Sequence, residues 1–428
     1  MPEVKLVSEH FGNELARGLK WRLQNGGYEG AKKAMAMSPD EVVEEVTQSY
    51  LRGLGGAGFP TGRKWSFVPR DTGKPIYLCV NADEAEPGTF KDRYILEWDP
   101  HLLIEGIIIC AHALGIETAY IYIRGEYVQP YERLQKAVDE AYEAGILGKK
   151  VLGGDVKLDV FIHRGAGAYI CGEETALLES IEGKKGWPRL KPPFPAVVGL
   201  FGCPTVINNV ETISHLPKII LKGGRWFADI GVERNGGTRL FALSGSVNRP
   251  GVYELPMGTP LRELIFDRGE GVLGGRKLKA VIPGGASAAL LTADEIDAPL
   301  DFDSMAKIGT MLGSGAVIAI DESVCIVQTL HNLEHFFSHE SCGQCTPCRE
   351  GTGWVFKILG RIIEGNGRLS DLDTLRSLAE NMTGTSICAL CDGAAMPLRS
   401  CVQKFFHEFE HYIRYKKPYS ERREAASA

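Results

Sequence analysis

The sequence predicts an α/β domain with a parallel sheet, then a small β-grasp (α+β) domain, then a C-terminal four-helix bundle. Three observations carry this expectation. Between Gly53 and about Lys222, short β-branched apolar runs alternate with stretches of helical periodicity, the pattern of strand–helix–strand units. Beyond Gly236–Gly237, two strand-like runs flank the turn Asn248–Arg–Pro–Gly251. From Asp321 onward every apolar repeat is helical. A chain of 428 residues is too long for one core. The expected divisions are a helical arm over 1–50, the α/β domain over 51–235, the β-grasp domain over 236–320, the bundle over 321–415 and a polar tail over 416–428.

In the arm, Gly12–Gln24 and Gly30–Ala36 read as turns of helix. Ser38–Pro39–Asp40–Glu41 is a helix start, with Ser38 as N-cap and Pro39 at the first helical position, leading into an amphipathic run over Glu41–Leu51. Ile76–Val80, Ala119–Ile123 and Leu158–Ile162 read as buried strands, separated by helices over His101–Leu114 and Val128–Ala144. Further on, Arg239–Ser244, Val252–Leu255 and Leu278–Ile282 read as strands and Pro260–Phe266 as a short helix. The bundle is expected from Glu322–Ser338, Pro347–Glu364, Asp371–Asn381 and Gly393–Arg414, with Ser370 and Asp373 as a capping pair. Lys416–Ala428 is expected to fray.

A formal net charge of −6 argues against a nucleic-acid footprint. The longest apolar stretch, Leu102–Ile116, is interrupted by Glu105 and His112 and is too short to span a bilayer, so no direct membrane insertion is expected. The first ten residues lack the apolar core of a signal peptide and the Arg- and Ser-rich character of a transit peptide, which predicts a bacterial cytoplasmic protein. The 11 cysteines are then expected to be reduced. Cys79, Cys110, Cys171, Cys203 and Cys325 stand singly and read as small buried hydrophobes. Cys342, Cys345, Cys348, Cys388, Cys391 and Cys401 crowd together and require a metal or redox role.

The chemistry-bearing stretches begin with a loop holding Gly53, Gly55, Gly56, Gly58 and Gly62, followed by Lys64. Such a backbone can approach a flat or phosphorylated ligand and point its N–H groups at it, while Phe59, Trp65 and Phe67 offer aromatic faces. Gly53, Gly55 and Gly58 satisfy G-x-G-x-x-G, but a helix precedes them where the dinucleotide fingerprint requires a strand. Asn81–Phe90 and Gly165–Glu174 fall at the carboxyl ends of predicted strands, where ligands bind in parallel sheets. Phe194, held between prolines in Lys191–Pro–Pro–Phe–Pro195, suits stacking on a ligand better than a core role. Asn208–Asn209 reads either as a pair of ligand amides or as the cap of a helix over Val210–Lys218. Pro283–Ser287 reads as a plain turn. Cys342-x-x-Cys345-x-x-Cys348 can wrap three corners of an iron–sulfur cubane, with Cys388 and Cys391 both available as the fourth ligand. Cys345-x-x-Cys348 with Cys388-x-x-Cys391 also has zinc spacing, but leaves Cys342 idle.

Taken together, the glycine loop, Asn81–Phe90, Gly165–Leu178, Lys191–Pro195, Thr205–Thr212 and the cysteine run resemble the flavin-bearing, NADH-oxidising subunit of respiratory complex I, the fifty-one-kilodalton type, from about Gly26 to about Arg414. Leu54 stands where that family usually has an Arg. The resemblance implies FMN contacts from Gly53, Gly55, Gly56, Ala57, Gly58, Lys64, Asn81, Asp83, Glu84, Tyr169, Gly172, Glu173, Ile207, Asn208 and Asn209. For NADH it implies adenine stacking on Phe59, Phe67 and Phe194, with Lys191 near the diphosphate or ribose and Glu86 and Glu174 as the catalytic carboxylates facing the nucleotide. It selects Cys388 to join Cys342, Cys345 and Cys348 around a [4Fe–4S] cluster, and it makes the β-grasp domain one of the soluble-ligand-binding type. It further implies hydride transfer from NADH to the flavin, followed by single-electron delivery to the cluster. The implied setting is the peripheral arm of an NADH:quinone oxidoreductase on the inner face of the plasma membrane. The implied partners are a thioredoxin-fold [2Fe–2S] subunit and a large iron–sulfur subunit. A diaphorase subunit of an NAD-linked hydrogenase or formate dehydrogenase is the alternative enzyme. A zinc-stabilised assembly protein is the alternative of another class.

Overall fold

The computed structural model describes residues 4–421. The predicted fraying beyond 421 lies outside them. The chain forms two compact units: the first takes the residues through Ala85, Thr89–Phe241 and Val252–Gly258, the second Glu86–Gly88, Ala242–Gly251 and the residues from Thr259.

In the first unit, helix Pro39–Gln48 begins as its sequence dictates. Ser38 Oγ accepts from Glu41 N–H at 3.3 Å and Glu41 accepts from Ser38 N–H at 2.7 Å, a reciprocal capping box. Strands β1 (Tyr77–Ala82), β2 (Thr118–Ile123), β3 (Asp159–Arg164) and β4 (Thr205–Asn209) form one sheet in the order β3-β2-β1-β4, every pairing parallel. The expected α/β domain with a parallel sheet is therefore present. The chain steps outward from β1 through β2 to β3 and then returns to the other side of β1 with β4. The order reverses between β1 and β4, and parallel sheets open a ligand crevice at the carboxyl ends of the strands flanking such a reversal.

Helix Pro100–Leu114 is buried on almost every side, which is why its sequence is apolar all round rather than striped. β4 is absent from the sequence reading, which gave Asn208–Asn209 as ligand amides or a helix cap. The short run Thr205–Ile207 gains its strand character by pairing with β1, a long-range contact that local periodicity does not report. The helix expected over Val210–Lys218 is instead two, Val210–Ser214 and Leu216–Lys222, with Pro217 in the first turn of the second.

A five-stranded sheet of order β6-β5-β9-β7-β8 includes β5 (Thr238–Gly245), β6 (Gly251–Pro256), β7 (Leu278–Ile282), β8 (Leu291–Thr292) and β9 (Ala316–Asp321). β9, absent from the sequence reading, pairs parallel with β5 and antiparallel with β7. The expected helix from Glu322 starts only at Ile326, because Asp321 accepts from Ser323 N–H at 2.7 Å and closes a turn first. Helices Thr346–Ile363 and Ser370–Met382 follow. Ser370 is not the cap of the latter: Asp371 accepts from Arg368 N–H at 2.8 Å and fixes its start. The single helix expected over Gly393–Arg414 is two, Leu390–Lys404 and Phe406–Tyr415, broken at Phe405. The break lets Val402, Phe405, Phe409 and Tyr412 all be buried.

Candidate active site

The crevice between the carboxyl ends of β1 and β4 gathers most of the residues singled out in the first unit. The glycine loop reaches it after helix Pro39–Gln48. Gly56 and Gly58 have φ of +136° and +65°, conformations that a side chain disfavours, and nothing lies within 4 Å of where a Gly56 Cβ would stand. Gly56 thus presents open backbone, while the N–H groups of Gly53 and Gly58 donate to the Phe59 and Gly53 carbonyls at 2.8 Å and 3.1 Å. Helix Thr61–Ser66 then places Lys64, whose Nζ donates to the Ile207 carbonyl at 2.7 Å and lies 3.5 Å from Glu174 Oε2.

Past β3, the turn Tyr169–Gly172 leads into helix Glu174–Ile181. Glu173 caps that helix, accepting from Thr175 N–H at 2.8 Å and Ala176 N–H at 3.0 Å. Lys191 Nζ bonds both Glu173, at 2.9 Å, and Glu174, at 2.6 Å. Burial opposes the charge on Glu174, but Lys64 and Lys191 outweigh it and hold its carboxyl below the usual range. The segment carrying Lys191 and Phe194 is fastened by Arg189. Its backbone N–H donates to Thr175 Oγ1 at 2.8 Å, and its guanidinium binds Glu182 at 3.0 Å and the Gly199 carbonyl at 2.9 Å. Phe194 itself is 57% exposed. Phe59 and Phe67 are exposed, with ring centroids 6.2 Å apart. Trp65 offers no aromatic face, contrary to the sequence expectation. It is fully buried and donates to Asn208 Oδ1 at 3.1 Å, because an indole on the inward side of a short helix fills the core beneath the loop.

At the end of β1, Asn81 Nδ2 donates to the Gly172 carbonyl at 2.8 Å and its Oδ1 accepts from Asp83 N–H at 3.0 Å, joining two of the predicted loops. Asp83 also lies against Gly172, where a Cβ would approach its Oδ2 to 3.3 Å. Glu84 is turned inward: it accepts from the N–H groups of Lys91, Asp92 and Arg93 and from the Tyr127 hydroxyl. Burial raises its carboxyl to about 7. Asn209 caps helix Val210–Ser214, so the capping half of its two readings holds. Glu86 falls in the second unit, where Oε1 accepts from Ser287 N–H at 2.7 Å and Ser287 Oγ at 2.6 Å. Pro283–Ser287 is thereby committed to the protein itself.

In the second unit, Cys342 lies in the loop before helix Thr346–Ile363, Cys345 is its N-cap residue and Cys348 stands in its first turn. The loop 383–389 carries Cys388 and is drawn to them by the Ile387 N–H, which donates to Cys345 Sγ at 3.4 Å. Cys348 and Cys391 share a hydrogen bond, and Ser341 Oγ lies 3.2 Å from Cys348 Sγ. Among the described residues, no three ligand side chains are gathered as a single metal ion requires. A cubane takes each thiolate on a separate iron, which suits thiols spread over two adjoining loops.

Residues 46–218 match the Nuo51 FMN-binding domain and residues 328–412 match the NADH-ubiquinone oxidoreductase-F iron-sulfur binding region. The chain is 56% identical to the second NADH-quinone oxidoreductase F subunit of Rhizobium meliloti (strain 1021), over 91% of this chain and 92% of that one. The chain belongs to the family of NADH-quinone oxidoreductase F subunits. Within this family it is also 50% identical to the F subunit of Rickettsia typhi (strain ATCC VR-144 / Wilmington), over 96% of this chain and 98% of the relative. Residues 240–269 match an SLBB domain. Among solved structures, an NAD+-reducing [NiFe]-hydrogenase in its H2-reduced state is similar, with a TM-score of 0.84 and 37% identity over 92% of this chain. This chain spans 66% of that chain's length.

The FMN-binding match at 46–218 encloses the glycine loop and the ends of β1, β3 and β4, and the iron–sulfur match encloses all six clustered cysteines. The donor sets fit both groups: open amides, Lys64 and side-chain amides for a flavin phosphate and ring, and thiols on two adjoining loops for a cluster. Sequence reasoning missed the buried Lys91, Asp92, Glu211 and Arg239 and the fastening role of Arg189. The only signal was the charged run Lys91–Asp92–Arg93, which local pattern assigns to a solvated face.

Proposed function

We infer that this protein oxidises NADH with FMN as hydride acceptor and passes the electrons to a [4Fe–4S] cluster on the same chain, as the electron-input subunit of complex I. The observation that carries the reading is the β1–β4 crevice, where a glycine loop with open backbone meets the Lys64–Glu174–Lys191 cluster. When bound, FMN supplies a two-electron acceptor and the cluster a one-electron carrier.

The residues of the chain bind and orient. The N–H groups of Gly55, Gly56 and Ala57 and the Lys64 ammonium suit the phosphate, and the amides of Asn81, Asn208 and Asn209 suit the polar ring edge. Tyr169, Gly172 and Asp83 wall the crevice. Glu84 contributes through the loop it closes. Phe59, Phe67 and Phe194 form the adenine platform. Glu174 and Lys191 meet the ribose and diphosphate. Cys342, Cys345, Cys348 and Cys388 hold the cluster.

The same reading extends to the architecture: a helical arm through residue 50, a β-grasp domain of the soluble-ligand-binding type over 236–320, and a cluster-bearing helical bundle over 321–415, whose last expected helix is split in two. The SLBB match at 240–269 and the helices after Ile326 support it. No helix among the described residues is long and apolar enough to cross a membrane. We place the protein on the inner face of the plasma membrane, held there by a thioredoxin-fold [2Fe–2S] subunit and a large iron–sulfur subunit. The likeness to an NAD+-reducing [NiFe]-hydrogenase favours a second setting, a diaphorase subunit. The NADH-quinone oxidoreductase relatives, at 50% identity and above over nearly the whole chain, favour complex I.

The test is NADH:ferricyanide reduction by the purified protein, with flavin fluorescence read after denaturation. Activity with releasable FMN supports the reading. A colourless protein that binds zinc and not FMN contradicts it.

A further inference from the structure

Next to the glycine loop lies a set of charged side chains that the functional reading leaves without a role. Lys91, Asp92, Glu211 and Arg239 are all buried in the first unit. Lys91 Nζ stands 2.7 Å from Asp92 Oδ1 and 2.6 Å from Glu211 Oε2. The second Asp92 oxygen accepts from Asn209 Nδ2 at 2.6 Å, and Glu211 Oε1 accepts from Leu240 N–H at 2.6 Å. Arg239 brings the second cation, within electrostatic reach of Glu211 and Asp92. Two cations thus balance Asp92 and Glu211, and the buried Glu84 carboxyl, raised to about 7, stands beside Lys91 and Asp92.

This cluster ends on the glycine loop. Arg239 Nη2 donates to the Leu54 carbonyl at 2.9 Å. The Leu54 N–H donates to Thr212 Oγ1 at 2.9 Å, on the helix that Asn209 caps. Both backbone polar groups of the residue between Gly53 and Gly55 are therefore fixed, and the Leu54 side chain is itself buried. Gly55 closes the arrangement, since a Cβ there would come within 3.0 Å of Asn209 Cβ. Buried ion pairs cost desolvation and are commonly no more stable than apolar packing of the same volume. Stability alone therefore does not account for four buried charges at this place.

We propose that Arg239 is a positioning residue for the flavin: by holding the Leu54 carbonyl it sets the peptide orientation from which the N–H groups of Gly55, Gly56 and Ala57 face bound FMN. The proposal rests on the FMN reading above. Arg239 itself touches no ligand; it acts through Leu54, with Lys91, Asp92 and Glu211 holding its charge in place.

The experiment is equilibrium titration of FMN, followed by fluorescence quenching, into flavin-stripped full-length protein, with melting temperature measured in parallel. Arg239→Met removes the donor but leaves surplus negative charge, so it lowers both FMN affinity and melting temperature. The double variant Arg239→Met/Glu211→Gln restores neutrality. Its melting temperature recovers most of the loss, while its FMN dissociation constant stays at least tenfold above wild type. If the double variant binds FMN as tightly as wild type, the cluster is structural only and the proposal falls. Should the double variant not fold, Thr212→Val decides, since it removes the acceptor of the Leu54 N–H without touching a charge. A several-fold weaker FMN affinity supports the proposal and an unchanged one overturns it. A wild-type protein that takes up no FMN refutes the flavin reading instead.

Discussion

Glu174 sits between two ammonium groups, at 2.6 Å from Lys191 and 3.5 Å from Lys64, and this pairing keeps a partly buried carboxyl ionised. In the role proposed for Glu174 at the ribose, the ionised acid repels the extra phosphate of NADPH. One carboxylate about 5 Å from one phosphate charge costs roughly 3 kcal/mol at an effective dielectric near 20. Glu174→Gln removes that repulsion and leaves two lysines to attract the phosphate. The NADH-to-NADPH ratio of kcat/KM is expected to fall at least tenfold, measured with ferricyanide as acceptor. An unchanged ratio would make the acid a bystander. Phe194 is more exposed than buried, so the core loses little by its removal. A base stacked on an aromatic ring gains roughly 1–3 kcal/mol. Phe194→Ala should raise KM for NADH about tenfold with melting temperature and flavin content unchanged. Lost stability with normal KM would show a packing role instead.

At the scale of elements, helix Pro100–Leu114 is tied to its neighbours through His101. The ring accepts from Tyr28 Oη–H at Nδ1, 2.7 Å away, and meets Glu140 Oε2 at 3.2 Å through Nε2. That arrangement needs the neutral ring protonated at Nε2. Burial, only partly offset by Glu140, pushes the imidazole down to about 4. The unfolded chain therefore binds this proton first. The contribution to stability is complete above about pH 6.5 and is lost as pH falls toward 4, by about 3 kcal/mol at most. Melting temperature should decline over that window, and His101→Gln should flatten the slope; an equal slope in the variant would contradict the assignment. Elements were legible where their own residues dictate them. β1, β2 and β3 are short runs of apolar, aromatic and β-branched residues, and helix Pro39–Gln48 carries its own cap. β4 and β9 escaped notice because partners on other strands make them strands. The break at Phe405 escaped because burying four aromatic and aliphatic side chains overrides a continuous helical pattern.

For the whole molecule, the motifs near 53–62, 81–90, 165–174 and 342–348 were readable because each concentrates unusual residues in a short span. The ion cluster of Lys91, Asp92, Glu211 and Arg239 was not, since its members come from three separate segments and charged residues are ordinarily exposed. The central claim is that one chain holds a flavin and an iron–sulfur cluster, both serving NADH. Its most direct test is FMN and iron analysis of the anaerobically purified protein, with EPR after NADH addition, on wild type, Cys388→Ala and Cys391→Ala. Wild type should carry about one FMN and about four irons per chain, the count of a single cubane. NADH should bleach its flavin and produce a cluster signal. Cys388→Ala should lose the iron and the signal but keep the flavin, while Cys391→Ala keeps both. Loss of the signal from Cys391→Ala alone would reassign the fourth ligand. Zinc in place of iron, with no flavin to bleach, would contradict the account as a whole.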